Sequence, residues 1–170
     1  VWVLYTGHRF GWDERANGLS LALVGLMAAI VQGGLVQPFI KRFGERRSIL
    51  FGLGLATFTF LGYGLATEGW MMLAIIVFGS VGGVAGPAIQ GLVAGTVEPH
   101  DQGKIQGALT SLMSLTSIFA PLIFASGLFS FFTSPSAPLD LPGAPFLMGS
   151  VLWAVSFFFL LRLFRRFPAE

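Results

Sequence analysis

A short basic segment between two long apolar stretches constrains this chain more than any other feature. Residues 34–47 read GLVQPFIKRFGERR, and four cations fall within seven residues: Lys41, Arg42, Arg46 and Arg47. The apolar runs on both sides are long enough to cross a bilayer as helices. Because positively charged loops are retained on the cytoplasmic side of a membrane, the segment is predicted to be a cytoplasmic turn between two membrane spans.

The composition indicates that lipid solvates this chain. Hydrophobic residues make up 54% of it and charged residues 11%, whereas a soluble domain carries about 25% charged residues. The 23 glycines fit the same interpretation, since glycine lets transmembrane helices approach closely. We therefore expect the lipid bilayer to surround most of the chain.

Charge distribution and cysteine content exclude several function classes. The net charge is +2, but the cations stand at the ends of apolar stretches and form no basic stripe, so no nucleic-acid partner is expected. The chain has no Cys, and its two His residues show no metal-ligand spacing. No Ser-His-Asp set and no carboxylate pair lies within an apolar stretch, which argues against an enzyme. Neither a metal nor another cofactor is predicted.

Five apolar segments are long enough to be membrane-spanning helices. They are predicted at about residues 18–40, 48–66, 70–94, 105–132 and 144–161, and none contains Asp, Glu, Lys, Arg or His. We number them span 1 to span 5. The leading VWVLYT is predicted to be the end of an earlier span. The predicted fold class is therefore an all-α membrane protein with five complete spans.

The loops between the spans alternate between the two sides of the membrane, and their cations fall mainly on one side. The 41–47 turn, the loop at 95–104 and the tail from Arg162 carry eight Lys and Arg residues, against two on the other side. This bias predicts that the 41–47 turn and the C-terminus are cytoplasmic. A bacterial inner membrane is the expected location.

Spans 3 and 4 each contain a proline that is predicted to interrupt the helix. In span 3 the sequence GSVGGVAGPAIQGLVAG places small residues four apart, which favours close helix packing. Pro87 follows Gly86 there and lacks a backbone N–H, and Pro121 lies in span 4. Gly86, Pro87 and Pro121 are therefore either parts of bent, tightly packed helices or hinges used in a conformational change.

A few uncharged polar side chains inside the spans are candidates for a binding site. Gln32 in span 1 and Gln90 in span 3 each place an amide in hydrocarbon, which is unfavourable unless the amide is paired or hydrated. Thr110 and Ser114 lie one turn apart in span 4. These hydroxyls either line a water-filled cavity or bond back to their own helix. We expect Gln32, Gln90, Thr110, Ser114 and nearby aromatics such as Phe58 to contact a small-molecule substrate.

The motifs and their order resemble the major facilitator superfamily. Residues 34–47 fit the spacing GxxxPxxxRxGxRR, which is similar to the cytoplasmic-loop signature between the second and third helices of each six-helix half. More narrowly, the chain resembles the C-terminal half of the tetracycline–proton antiporter branch of drug efflux proteins. The similar segments are RFGWD (9–13), FGERR (43–47), GPAIQ (86–90), QGKIQG (102–107) and LTS (115–117). They extend over essentially the whole chain.

By this resemblance, the five spans are helices 8 to 12 of a twelve-helix transporter, residues 1–6 end helix 7, and the N-terminal half is missing. The resemblance implies drug-type efflux of a small organic compound by proton antiport and alternating access. Where the tetracycline branch carries a coupling histidine and aspartate, this chain has Ala28 and Ala56, whereas Gln32 matches that branch. A coupling carboxylate is therefore expected in the missing half.

The basic turn is expected to act on conformation rather than on the substrate. Arg42, Gly44, Arg46 and Arg47 are assigned to a latch that holds conformations through cytoplasmic charge contacts. Two alternatives to drug efflux stay open. One is a non-transporting scaffold or an inactive truncated transporter, and the other is an uptake or facilitator-type carrier for a metabolite.

Overall fold

A computed structural model describes residues 1–98, 100–135 and 137–167, and the regular structure in these ranges is entirely helical. The α-helices are α1 (Trp2–Phe10), α2 (Glu14–Ile30), α3 (Val36–Phe43), α4 (Glu45–Leu65), α5 (Gly69–Gly79), α6 (Ala85–Thr96), α7 (Gln102–Pro121), α8 (Ser130–Phe132) and α9 (Ala144–Arg166). A π turn (Val31–Leu35) joins α2 to α3, a 3₁₀ turn (Ser80–Val84) joins α5 to α6, and a π turn (Leu122–Phe129) joins α7 to α8.

These elements form five continuous helices that are long and apolar enough to cross a membrane. They cover Glu14–Phe43, Glu45–Leu65, Gly69–Thr96, Gln102–Phe132 and Ala144–Arg166, and correspond in order to spans 1 to 5. The all-α fold class is therefore confirmed. Most helices begin earlier than predicted and α1 continues to Phe10, because the helices continue into the polar and charged residues that flank their apolar runs.

The basic turn is a corner of one residue, not the longer loop that the sequence predicted. Span 1 ends at Phe43 and span 2 begins at Glu45, so Gly44 alone connects them. Gly44 adopts φ 78° and ψ 164°, a backbone conformation that is nearly exclusive to glycine. The Ser48 hydroxyl donates to the Gly44 carbonyl oxygen at 2.7 Å. The four cations of the segment therefore lie on the ends of two helices.

Span 2 contacts span 3 through glycine. A Cβ atom added to Gly52 would lie 2.6 Å from the Ala85 Cβ and 2.6 Å from the Gly82 carbonyl oxygen, so the two backbones touch. A Cβ atom on Gly79 would lie 2.5 Å from the Thr59 side chain. The close packing predicted for the glycine-rich segment of span 3 is confirmed at Gly79 and Gly82.

Span 2 also packs along span 5, which completes the centre of the bundle. The Ser150 hydroxyl donates to the Thr57 carbonyl oxygen at 2.8 Å. The rings of Phe60 and Trp153 lie 6.2 Å apart. Together these contacts make spans 2, 3 and 5 the most buried of the five, with 28% of their most apolar stretch buried.

Span 4 is the least packed helix of the bundle. Only 6% of its most apolar stretch is buried, and no residue from Gln102 to Pro121 is buried. Its π turn, Leu122–Phe129, contacts span 5. Most of the apolar surface of span 4 is therefore open to lipid or to further helices.

A buried polar cluster fixes α1 against the start of span 1. The Thr6 hydroxyl donates to Asn17 Oδ1 at 2.6 Å, and the Trp2 indole N–H donates to the Ser20 hydroxyl at 3.0 Å. Thr6, Asn17 and Ser20 are all buried. Gly11, in the left-handed region at φ 65°, ends α1 and turns the chain back. These hydrogen bonds therefore fix the direction in which α1 runs relative to span 1.

Candidate substrate site

Two irregular turns meet where spans 1 and 3 pack together. The π turn Val31–Leu35 contacts the 3₁₀ turn Ser80–Val84. Val31 and Val84 are buried in one cluster there. π turns inside α-helices occur frequently at functional sites, which makes this meeting point the first candidate for such a site.

Proline chemistry explains both turns. Pro38 and Pro87 have no N–H, so the carbonyls of Gly34 and Gly83, four residues earlier, have no α-helical donor. Both glycines lie inside the irregular turns. Pro121 directly precedes the π turn Leu122–Phe129. The interruptions predicted at Pro87 and Pro121 therefore coincide with departures from α-helical geometry.

A cavity of about 150 Å³ lies beside the two meeting turns. Spans 1, 2 and 3 all contribute to its lining, which consists of Val24, Ala28, Val31, Gln32, Tyr63, Ile76, Ser80 and Gly83. Its polar side chains are those of Gln32 and Ser80, together with the hydroxyl-bearing ring of Tyr63. Because ligand pockets usually measure about 300–1,000 Å³, this cavity has room for only part of an organic ligand.

The cavity wall next to Gln32 is formed by a small side chain, and the cavity lining is uncharged. Ala28 lies one helical turn before Gln32 and lines the same cavity. Asp, Glu, Lys, Arg and His are all missing from the lining that the structure describes. This cavity can therefore offer hydrogen bonds and apolar contact to a ligand, but no ionisable carboxylate, imidazole or amine.

Gln90 lies in a different cleft, of about 310 Å³, between the facing ends of spans 3 and 4. Gln102 and Gln106 line this cleft with it, and Gln102 Nε2 donates to the Ala94 carbonyl oxygen at 3.4 Å. Sequence reasoning missed Gln102 and Gln106. Their spacing of one turn at the start of span 4 puts both amides on one helix face and was the available signal.

The other predicted substrate contacts lie on exposed faces. Thr110 and Ser114 are exposed on span 4, and Phe58 is 70% exposed on span 2. The neighbouring hydroxyls of Ser111 and Ser117 donate to carbonyls one turn earlier, at 2.9 and 2.8 Å. The Ser111 and Ser117 hydroxyls therefore bond to their own helix. The structure does not bring these residues into the cavity at Gln32.

The residues assigned to a latch surround the Gly44 corner. The Arg46 guanidinium lies 5.2 Å from the centre of the Phe164 ring, and Arg46 Nη1 donates to the Phe167 carbonyl oxygen. Arg42 lies 5.8 Å from the ring of its neighbour Phe43, and Arg47 is exposed. Within the described ranges, ion pairs are confined to residues 98–104, so none of these arginines pairs with a carboxylate there.

A further concavity, of about 700 Å³, is a cleft between spans 4 and 5. Phe60, Phe146 and Trp153 give it an aromatic wall, and Ser117 is among its few polar residues. Val1, which directly precedes α1, also lines it. The cleft lies apart from Gln32 and Gln90, which line other cavities.

Residues 1–170 match the model of the Major Facilitator Superfamily over their full length. The chain belongs to the major facilitator superfamily. It is 41% identical over 126 residues to the class G tetracycline resistance protein of Vibrio anguillarum, covering 74% of the chain and 32% of that protein. It is 36% identical over 155 residues to the class D tetracycline resistance protein of Salmonella ordonez, covering 91% of the chain and 38% of that protein.

A human relative, Hippocampus abundant transcript-like protein 1, is 26% identical over 167 residues, which cover 91% of the chain and 33% of that protein. This major facilitator chain thus spans about a third of the length of the curated relatives it matches. No solved structure matches it. The predicted resemblance to the superfamily and to tetracycline resistance proteins is confirmed, and with five membrane-length helices the chain is an integral membrane protein.

Proposed function

We propose that this chain is the C-terminal half of a major facilitator transporter that moves a small organic compound across a membrane. In this assignment spans 1 to 5 are helices 8 to 12, and α1 is the end of helix 7. The whole-chain family match and the order of five membrane-length helices support it. A transporter family also fits the expectation that the chain is not an enzyme.

Gln32 is the residue we assign to substrate contact in this half, with Ser80 and Tyr63 beside it. The observation that carries the assignment is the meeting of two non-α turns next to the cavity that Gln32 lines. Transporters of this type bind substrate between their two halves, where interrupted helices expose backbone groups. Since the cavity is too small for a whole ligand, the N-terminal half would supply the remaining wall.

Gln90, Thr110, Ser114 and Phe58 remain proposed contacts for a second stage of transport. Thr110 and Ser114 lie on an exposed face of span 4, and the proposal is that this face moves toward spans 1 and 3 during transport. Gly86 and Pro87 beside the 3₁₀ turn, and Pro121 beside the π turn, are the proposed hinges for that motion. Alternating access by such bending is part of the proposal.

We assign the 700 Å³ cleft between spans 4 and 5 to a helix rather than to a substrate. α1 begins directly after Val1 and ends directly before Gly11, and Val1 lines this cleft. A chain that continues α1 in the N-terminal direction would therefore start beside the cleft. Its apolar, aromatic lining suits a helix of the same transporter.

Efflux of a drug-like compound by proton antiport is the transport mode we propose. The names of the bacterial relatives, tetracycline resistance proteins, support it. No carboxylate lines the cavity at Gln32 within the described residues, so the coupling carboxylate is assigned to the N-terminal half. The Gly44 corner and the C-terminus are placed on the cytoplasmic side of a bacterial inner membrane, because most cations lie there.

Resistance profiling tests this proposal. The complete transporter gene would be expressed in an efflux-deficient bacterial host, and growth measured on a panel of unrelated drugs with and without a proton uncoupler. We expect resistance to at least one compound and its loss with the uncoupler. No resistance together with no transport in proteoliposomes would overturn the transporter assignment, and uptake unaffected by the uncoupler would replace efflux with a facilitator.

A matched pair of variants tests the site. Gln32→Leu should raise the KM for the transported compound, because an amide that lines the cavity is lost. Gln37→Leu makes the same change in the same span at an exposed residue outside the cavity lining, and should transport normally. Equal behaviour of the two variants would exclude Gln32 as a substrate contact.

A further inference from the structure

An apolar groove that ends in two arginines lies on an exposed face of span 5. It measures about 440 Å³ and is lined by Val155, Phe158, Phe159, Leu161, Arg162 and Arg165. Phe158 and Phe159 are 65% and 72% exposed, and Val155 is 45% exposed. The bundle therefore leaves this groove uncovered along its length.

The two arginines of the groove are positioned to act on one ligand. Arg162 and Arg165 are three residues apart, which places them on the same side of the helix about 4.5 Å apart along its axis. Ion pairs in the described part of the chain are confined to residues 98–104. The described carboxylates therefore neutralise neither guanidinium.

The other arginines near this end of span 5 have different neighbours. Arg46 stacks on Phe164, and the Arg166 guanidinium lies 6.0 Å from the Phe167 ring. Neither residue lines the groove. Among the described residues, two cations at the polar end of an apolar groove thus have no carboxylate partner, and an anion with a long apolar part would satisfy both.

We propose that this groove binds one anionic phospholipid of the surrounding membrane. The phosphate would lie between Arg162 and Arg165, since guanidinium groups bind phosphate oxygens bidentately. Phe158 lies about 6 Å deeper along the helix than Arg162, so the acyl chains would pack on Phe158, Phe159 and Val155. Basic pockets at the ends of membrane spans recognise anionic headgroups in this manner.

The proposal depends on the membrane insertion of span 5 and not on the transported substrate. A soluble phosphate compound would use the arginines but leave the aromatic groove uncovered. A zwitterionic lipid would cover the groove but bring no net negative charge to the arginines. Only an anionic lipid matches both parts of the surface.

Native mass spectrometry of the complete transporter in detergent tests the site. The protein would be titrated with dioleoyl phosphatidylglycerol and, separately, with dioleoyl phosphatidylcholine, which has the same acyl chains. We expect tighter retention of the phosphatidylglycerol. Removing both arginines in R162Q/R165Q should weaken that retention by about fivefold for each arginine, down toward the level of phosphatidylcholine.

Matched variants and a soluble competitor complete the test. Arg166→Gln removes the same charge at the same helix end but outside the groove, and should retain the anionic lipid as the wild type does. R162K/R165K keeps the charge without the bidentate geometry and should be intermediate, which provides a readout if R162Q/R165Q does not fold. Equal losses in Arg166→Gln and R162Q/R165Q, full retention in R162Q/R165Q, or displacement of the lipid by millimolar inorganic phosphate would each overturn the proposal.

Discussion

The guanidinium of Arg46 lies 5.2 Å from the centre of the Phe164 ring and joins the first turn of span 2 to the last turns of span 5. Arg46 also donates to the Phe167 carbonyl oxygen, just beyond the end of α9. Because the C-terminal end of a helix carries partial negative charge, a cation there is favourable. Arg46 therefore stabilises the contact between the Gly44 corner and span 5.

We expect Arg46→Ala to lower the stability of the protein by about 1 kcal/mol, since a partly exposed cation–π contact contributes about 0.5–1 kcal/mol and the helix-end charge adds to it. Arg46→Lys keeps the charge but loses the flat stacking surface, so its effect should be smaller. Thermal unfolding in detergent measures both variants. Arg47→Ala, at the exposed neighbouring position, is the control and should unfold like the wild type.

The same variant tests the latch hypothesis. If the corner controls conformation, Arg46→Ala should lower the transport rate of the complete transporter and leave substrate affinity largely intact. Transport in proteoliposomes and equilibrium binding separate the two quantities. A parallel loss of binding would count against the latch.

The contact between Gly52 and span 3 predicts a strong difference between two glycines of one helix. Gly52→Ala would place a methyl group 2.6 Å from both the Ala85 Cβ and the Gly82 carbonyl oxygen. Such overpacking costs about 1–3 kcal/mol, and the unfolding midpoint should fall. Gly54→Ala is the matched control, because its methyl group would lie 3.6 Å from the Phe157 ring, an ordinary contact distance. Similar midpoints for the two variants would show that spans 2 and 3 are not this close.

Replacement of each of the two positive-φ glycines by asparagine should lower stability by different amounts. Gly44 combines φ 78° with ψ 164°, whereas Gly11 has φ 65° and ψ 28°, in the left-handed helical region. Nothing lies within 4 Å of a Cβ atom at either position, so backbone strain alone determines how much stability each substitution costs. Gly44→Asn should cost about 1–3 kcal/mol, and Gly11→Asn clearly less, because asparagine visits the left-handed region. Denaturation of the two variants side by side gives the comparison, and a larger loss in Gly11→Asn would contradict it.

The sequence was sufficient to predict the spans because membrane helices depend on long apolar runs, which are visible locally. The corner at Gly44 was not predictable from those runs, since a positive φ leaves no mark on hydrophobic patterning. Pro38 was the overlooked signal for the π turn, because its missing N–H affects the carbonyl of Gly34.

The site itself could be predicted only in part. Gln32 stood out because an amide in hydrocarbon needs a partner or water. Its neighbours Ser80 and Tyr63 come from other spans, and no local pattern indicates which helices cross at that level. Gln90 stood out for the same chemical reason, yet it lies in another cleft, because residue type does not determine helix rotation.

Pro87→Ala tests whether the 3₁₀ turn is a hinge. Alanine restores an N–H that can bond to the Gly83 carbonyl oxygen, so an α-helix can run through Ser80–Val84. We expect stability to be retained or raised and the transport rate to fall, because the 3₁₀ turn that lies beside the cavity at Gln32 is lost. Pro145→Ala is the control, since Pro145 lies in the first turn of span 5, where proline costs no helical hydrogen bond.

Unfolding midpoints and proteoliposome transport of the complete transporter provide the two readouts. Full transport by Pro87→Ala at unchanged or higher stability would show that the turn only packs the helices, and a loss of stability would show that the missing N–H of Pro87 is not what interrupts the helix.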